Sequence, residues 1–226
     1  MFNWFKKLFK KDSKPSINIE FCDEEVYVTP VEATRYKQDN IGQFQWNSEL
    51  NSDYLTLSNN NLTIEWDVEK GDKERPPAWI PASTDIMLHS GKFSLDFIVD
   101  EMADAQIGIG FLLQLSDGQN IAGDWGFFGY LGSSPSAWAY DPSTGDVVCS
   151  TRSIEGNLPV FKNRHNGTIN IVFNIPREQE GSATFSVNGT MSSPIQLPKG
   201  AVVLPACCFL HSGQKVTLAN FSKLEN

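Results

Sequence analysis

Three carboxylates at alternate positions, Glu65, Asp67 and Glu69 in the stretch EWDVE, are the side chains of this sequence best spaced for chemistry. Alternate residues of an extended strand share a face, so the three would project together. Carboxyl groups held that close can divide the work of nucleophile and general acid in cleaving a glycosidic bond. The surroundings favour a plainer reading. The triplet runs directly into KGDKERPP, which is loop chemistry, and a charged strand face is a common guard against edge-to-edge pairing. A solvated edge is therefore the expectation. Other reactive signatures are missing. His89, His165 and His211 are isolated, no G-x-S-x-G elbow occurs, and IGIGF lacks the third glycine and following helix of a dinucleotide loop. Cys22, Cys149, Cys207 and Cys208 form no CxxC pair with companion histidines, so no metal and no cofactor are expected. Asp141 and Asp146 in DPSTGD could hold calcium, but a hairpin turn explains them more simply.

The opening MFNWFKKLFKKD carries a different kind of chemistry. At about 100° per residue, Met1, Phe2, Trp4, Phe5, Leu8 and Phe9 fill one arc of roughly 160°, and Lys6, Lys7, Lys10 and Lys11 take the remainder. Residues 1–12 thus read as a short amphipathic basic helix of the interfacial kind. So few residues form no stable helix alone in water, so the helix is expected only where its apolar face is buried. An anionic bilayer would contribute about 1 kcal/mol per lysine, on the order of 4 kcal/mol for the four, besides insertion of the aromatics. Phe2 stands where N-myristoylation needs glycine, so the membrane contact is expected to be unlipidated. The other fates for the helix are docking on the chain's own body or in a partner's groove.

Charge is segregated along the 226 residues. Residues 1–14 hold five of the 18 basic residues and one acid, leaving 13 basic against 26 acidic residues on the rest, a formal −13. An acidic body argues against nucleic acid as a partner. The longest apolar run, AVVLPACCFL, is too short to span a bilayer as a helix. No cleavable signal peptide is visible, so the N-x-[ST] matches at Asn61, Asn166, Asn188 and Asn220 read as chance, and the cysteines as small buried hydrophobes in a reducing, cytoplasmic setting.

The elements that would position these groups are short and β-rich. After a linker and irregular lead-in over 13–50, alternating runs begin at Tyr54 and continue to the end, separated by Gly, Asn, Asp and Pro. YLTLS and LTIEWDV flank NNN, SAWAY and DVVCST flank DPSTGD, and Asn188-Gly189 is a two-residue hairpin signal because both residues tolerate positive φ. About a dozen strands result, in one all-β domain over 51–226, an antiparallel β-sandwich or jelly roll. Adjacent Cys207 and Cys208 should point to opposite faces of their strand. Of the aromatic run Trp125, Phe127, Phe128, Tyr130, Trp138 and Tyr140, most are expected in the core. Tyr130 and Trp138 are the candidates for exposed contacts with a partner.

The order of these runs resembles the SPRY family, a concanavalin A-like sandwich. GSATFSVNGT (181–190) looks like the family's Gly-led strand ending in Asn-Gly. VVLPACCFLHSGQKVTLANF (202–221) is similar to its last two strands, and GKFSLDFIVD followed by IGIGF to an earlier pair. FSLDF stands where that family usually has Trp-Glu, and GDVVCS lies earlier than the matching turn. The resemblance implies a non-enzymatic module that presents loops to a protein or peptide partner. E-x-D-x-E is also similar to the active-site strand of the lichenase and laminarinase glycoside hydrolases. That likeness would make Glu65 nucleophile, Asp67 its tuning group and Glu69 acid/base, with a glycan as ligand. The leading expectation is a binding sandwich held peripherally on the inner face of a membrane; the alternatives are a carbohydrate-active sandwich and a structural subunit of a larger assembly.

Overall fold

Alternation builds the longest strand, β4 (Gly91–Glu101), whose Phe93, Leu95, Phe97 and Val99 point inward while Ser94, Asp96 and Asp100 point out. Burying those four side chains contributes on the order of 6–12 kcal/mol relative to leaving them in water. A computed structural model describes residues 44–48, 52–67, 69–70, 79–103, 106–114, 137–149, 152–161 and 167–225. The N-terminal segment with Phe2, Trp4, Phe5, Lys6, Lys7, Leu8, Phe9, Lys10 and Lys11, and also Tyr130, lie outside the described residues.

Among the described residues there is no helix, and fourteen strands form two antiparallel sheets. In the eight-stranded sheet, β1 (Leu55–Ser58), β2 (Thr63–Trp66), β14 (Lys215–Leu224), β4, β9 (Gly167–Ile175), β10 (Gly181–Val187) and β11 (Thr190–Met191) lie in that order, and β12 (Ile195–Leu197) also pairs with β10. The six-stranded sheet runs β3 (Ile80–Ser83), β13 (Val202–Phe209), β5 (Ile107–Gln114), β6 (Ala137–Asp141), β7 (Asp146–Cys149) and β8 (Arg152–Glu155).

Turn chemistry fixes the hairpins. Val187 pairs with Thr190 across Asn188 (φ 49°) and Gly189 (φ 81°), the positive-φ pair that a two-residue hairpin requires. Asn59, Asn60 and Asn61 all take positive φ between β1 and β2, a conformation asparagine tolerates better than most residues.

The core lies between the sheets. Phe111 on β5 stacks on Trp138 at 5.4 Å and meets Phe173 of the opposite sheet edge-on at 5.0 Å. Trp46 is fully buried near Phe97, donates from Nε1 to the Leu62 carbonyl (3.1 Å) and bridges to Thr84. A residue of the expected lead-in is thus a core residue. Cys207 enters the main core and Cys208 joins Leu112, Ala137, Ala139 and Ala206 on the opposite face of the six-stranded sheet, as strand alternation requires.

Candidate functional site

The carboxylate triplet is not assembled on one strand. β2 ends at Trp66, so only Glu65 is a strand residue, and its carboxylate meets Lys215 Nζ at 2.7 Å, directly across in register on β14. The hydrogen bond to Glu65 holds the Lys215 ammonium above its ordinary pKa. Asp67 is taken into a turn: its Oδ1 accepts from the Glu69 amide (2.9 Å) and its Oδ2 from Thr56 Oγ1 (3.0 Å). An aspartate that caps the next turn this way competes with continuing the strand. The alternate-position geometry implied for Glu65, Asp67 and Glu69 therefore stops after its first member.

DPSTGD is a β6–β7 hairpin whose first residue organises the turn. Asp141 is 2% exposed, and its Oδ1 accepts from the Ser143 amide (2.8 Å) and Ser143 Oγ (2.6 Å), while Gln106 Nε2 donates to Oδ2 (3.2 Å). Protein donors take the lone pairs a cation would need. Among the described residues no group of three or more His, Cys, Asp or Glu is placed to hold a metal. Next to it, the Tyr140 hydroxyl donates to the Pro159 carbonyl, and Gly145 (φ 78°) accepts from the Leu158 amide, so the 156–161 segment is pinned to this hairpin.

Burial raises the Asp141 pKa, with the Ser143 hydrogen bonds offsetting part of the rise. For an acid whose folded pKa is raised, the ionised form is the one the fold disfavours. The stabilisation is complete below the unfolded pKa and is lost as pH climbs through the folded value. The advantage of wild type over Asp141→Asn should therefore shrink from about pH 3 to about pH 7. Urea midpoints of the two proteins across that range check this; an advantage that grows with pH would reverse the assignment.

Trp138, a candidate for an exposed contact with a partner, is the second residue of β6 and only 7% exposed. Every residue of β6 is buried, and the tryptophan lies against Phe111 in the core. One part of it nevertheless reaches a cleft of about 270 Å³, between the β7–β8 end of the six-stranded sheet and the β11–β12 end of the eight-stranded one. Trp138 and Val147 line it from the six-stranded sheet, together with Ile154 of β8, and residues 192–196 form the opposite wall. Ser192 fixes that wall: its amide donates to the Phe185 carbonyl (2.8 Å), and its hydroxyl accepts from the Phe185 amide (3.0 Å) and donates to the Ser193 carbonyl (2.9 Å). No charged side chain among the described residues lines the cleft. Ile154, at 41% exposure, sits at its rim, and Met191, at 63%, immediately precedes its wall.

No protein-family model and no curated protein sequence matches the chain. Solved structures do. The SPRY domain of human HERC1 shares 14% identity, with 77% of this chain and 97% of that domain covered at a TM-score of 0.54. A human SPRY domain shares 17%, covering 73% and 94% at 0.53, and the TRIM65 PSpry domain 13%, covering 78% and 92% at 0.51. The described residues form an all-β sandwich that shares the fold of these SPRY domains.

Proposed function

We propose that this protein is a non-enzymatic interaction module, a SPRY-like sandwich that recognises a protein or peptide partner and is brought to a membrane surface by residues 1–12. The observation that carries the binding half is the cleft between the two sheet edges, lined among the described residues by no charged side chain, in a fold shared with solved SPRY domains. Recruitment rests on the amphipathic pattern alone: aromatics on one arc, four lysines on the other and an acidic body behind them. The same pattern favours an anionic, cytoplasmic leaflet.

Co-sedimentation with vesicles tests recruitment. The full chain should bind vesicles containing phosphatidylserine, lose most of that binding at high salt, and bind neutral vesicles weakly, because the lysines act through a screened surface potential. A chain beginning at Ser13 should stay in the supernatant throughout. Equal behaviour of the two chains would remove the membrane from the proposal and leave the binding module standing.

A further inference from the structure

We infer that the cleft between β8 and β12 is the docking site for an extended peptide segment that inserts one large apolar side chain and carries Lys or Arg on either side of it. The inference rests on the interaction-module reading and gives it a partner chemistry.

Size comes first. A volume of about 270 Å³ falls below the ~300–1,000 Å³ of pockets that enclose a whole small-molecule ligand, so the cleft suits a single anchoring side chain. Its walls select the kind of anchor. Trp138, Val147, Ile154 and Ile195 are apolar, and with no charged side chain in the lining among the described residues an inserted charge would be desolvated without a partner there. Gln196, exposed at the wall, brings an amide donor and acceptor within the same lining, as an incoming backbone requires.

Shape comes from the sheet. Among the described residues β8 stands last in the six-stranded order, with β7 its pairing neighbour, and an extended segment would lie along that side of the sheet. Exposure points to the same patch. Among the described residues, four large hydrophobics are exposed, Met87, Ile154, Val160 and Met191; Ile154 lines the cleft and Met191 directly precedes its wall. A segment lying across the cleft would cover both.

Charge then chooses the flanks. The chain beyond residue 14 carries 26 acidic against 13 basic residues. Of the strands that border the cleft, β7 and β8 together hold Asp146 and Glu155 against Arg152, and β11 and β12 hold no charged residue. A basic segment is therefore attracted at long range and an acidic one repelled, while the uncharged cleft leaves the anchor itself apolar.

The test is a selection of random displayed peptides of about nine residues on the immobilised full chain, followed by fluorescence polarisation of the enriched peptides. Enrichment of peptides with one large aliphatic or aromatic residue between Lys or Arg is expected. Affinity should fall about tenfold or more for Ile154→Asp, and also for Gln196→Arg, which sets a like charge against the flanks. Both sites are exposed, so both variants should melt like wild type. Peptides that bind both variants as tightly as wild type would move the docking site elsewhere and leave the module reading intact; enriched acidic peptides would overturn the charge assignment. Binding that appears only in the chain beginning at Ser13 would make residues 1–12 the occupant and overturn the partner assignment. Failure to enrich any peptide, with either chain, would sink the module reading and this inference with it.

Discussion

Gly110→Ala is expected to lower stability by about 3 kcal/mol or more, at the upper end of what overpacking a core usually does. A Cβ on Gly110 would stand 1.9 Å from the Trp138 carbonyl oxygen, 2.8 Å from its carbon and 2.9 Å from the Ala139 Cα. All three are backbone atoms, so no side chain can rotate away. β5 and β6 would have to part where Gly110 faces Ala139 and Phe111 faces Trp138, which breaks ladder hydrogen bonds and opens the core beneath. For a chain of this size the melting temperature should drop by about 6–12 °C. Gly200→Ala is the control. That glycine has positive φ (71°) but open space where a Cβ would go, so only backbone strain, about 1 kcal/mol, should appear. Equal melting shifts for the two variants would mean that the close approach of β5 and β6 is not what requires glycine at 110.

The second large effect concerns Gln214, a fully buried amide that ties two chain reversals together. Its Oε1 accepts from the Leu210 and His211 amides at 2.7 and 3.0 Å, and its Nε2 donates to the Met102 and Gln106 carbonyls, both at 2.9 Å. One side chain thus satisfies four backbone groups, two after β13 and two between β4 and β5. Gln214→Leu leaves all four without this partner; the bond to Met102 is buried and the other three are part-buried, and an unsatisfied buried group costs about 1–3 kcal/mol. Allowing for relaxation and water entry, a loss of about 3–5 kcal/mol is expected in urea unfolding. Gln214→Glu should separate polarity from shape. It keeps the acceptors, but its buried carboxylate loses both donated bonds and faces two carbonyls. Burial would raise that carboxyl's pKa above its unfolded value, so the variant should lose stability as pH rises towards neutrality and recover part of it in acid. A variant as stable at about pH 7 as at about pH 4 would show that water reaches the site.

Local chemistry made much of the sandwich legible. The strict alternation of KFSLDFIVD, the positive-φ tolerance of Asn188-Gly189 and the aspartate of DPSTGD each decide their own element, and each appears where its chemistry predicts. What stayed hidden depends on distant partners. Trp46 stands in a polar stretch with no strand pattern around it; it is a core residue because Leu62, Thr84 and Phe97 converge on it. Trp138 lies in SAWAY, which reads as a strand with room for an exposed side chain, yet β6 is buried along its whole length. β3 contains Pro81, which cannot donate to a ladder, and it is tolerated because β3 stands at a sheet edge. The carboxylate triplet misleads in the other direction. Its alternation is genuine, but Asp67 closes a turn on the Glu69 amide before the pattern is complete.

The cleft is the hardest feature to read. Its two sides, Ile154 on β8 and residues 192–196, come from opposite sheets and are distant in sequence. β8 is a four-residue edge strand, RSIE, with too short an alternation to stand out, and SSPIQ carries no signal beyond a proline. Only the pairing order brings them face to face. Trp138, a sequence candidate for contact with a partner, does reach this cleft, but as part of its buried lining.

Amide chemical shifts of the 15N-labelled full chain, followed during titration with an enriched peptide, test most directly whether this sandwich binds through its sheet-edge cleft. The expected result is a set of shifts confined to Val147, Ile154, Ile195, Gln196 and their strand neighbours, saturating with the affinity read by polarisation and absent in Ile154→Asp. Shifts gathered instead on the outer face of the eight-stranded sheet, around Glu65, Asp96 and Lys215, would contradict it and place the binding surface on the opposite sheet.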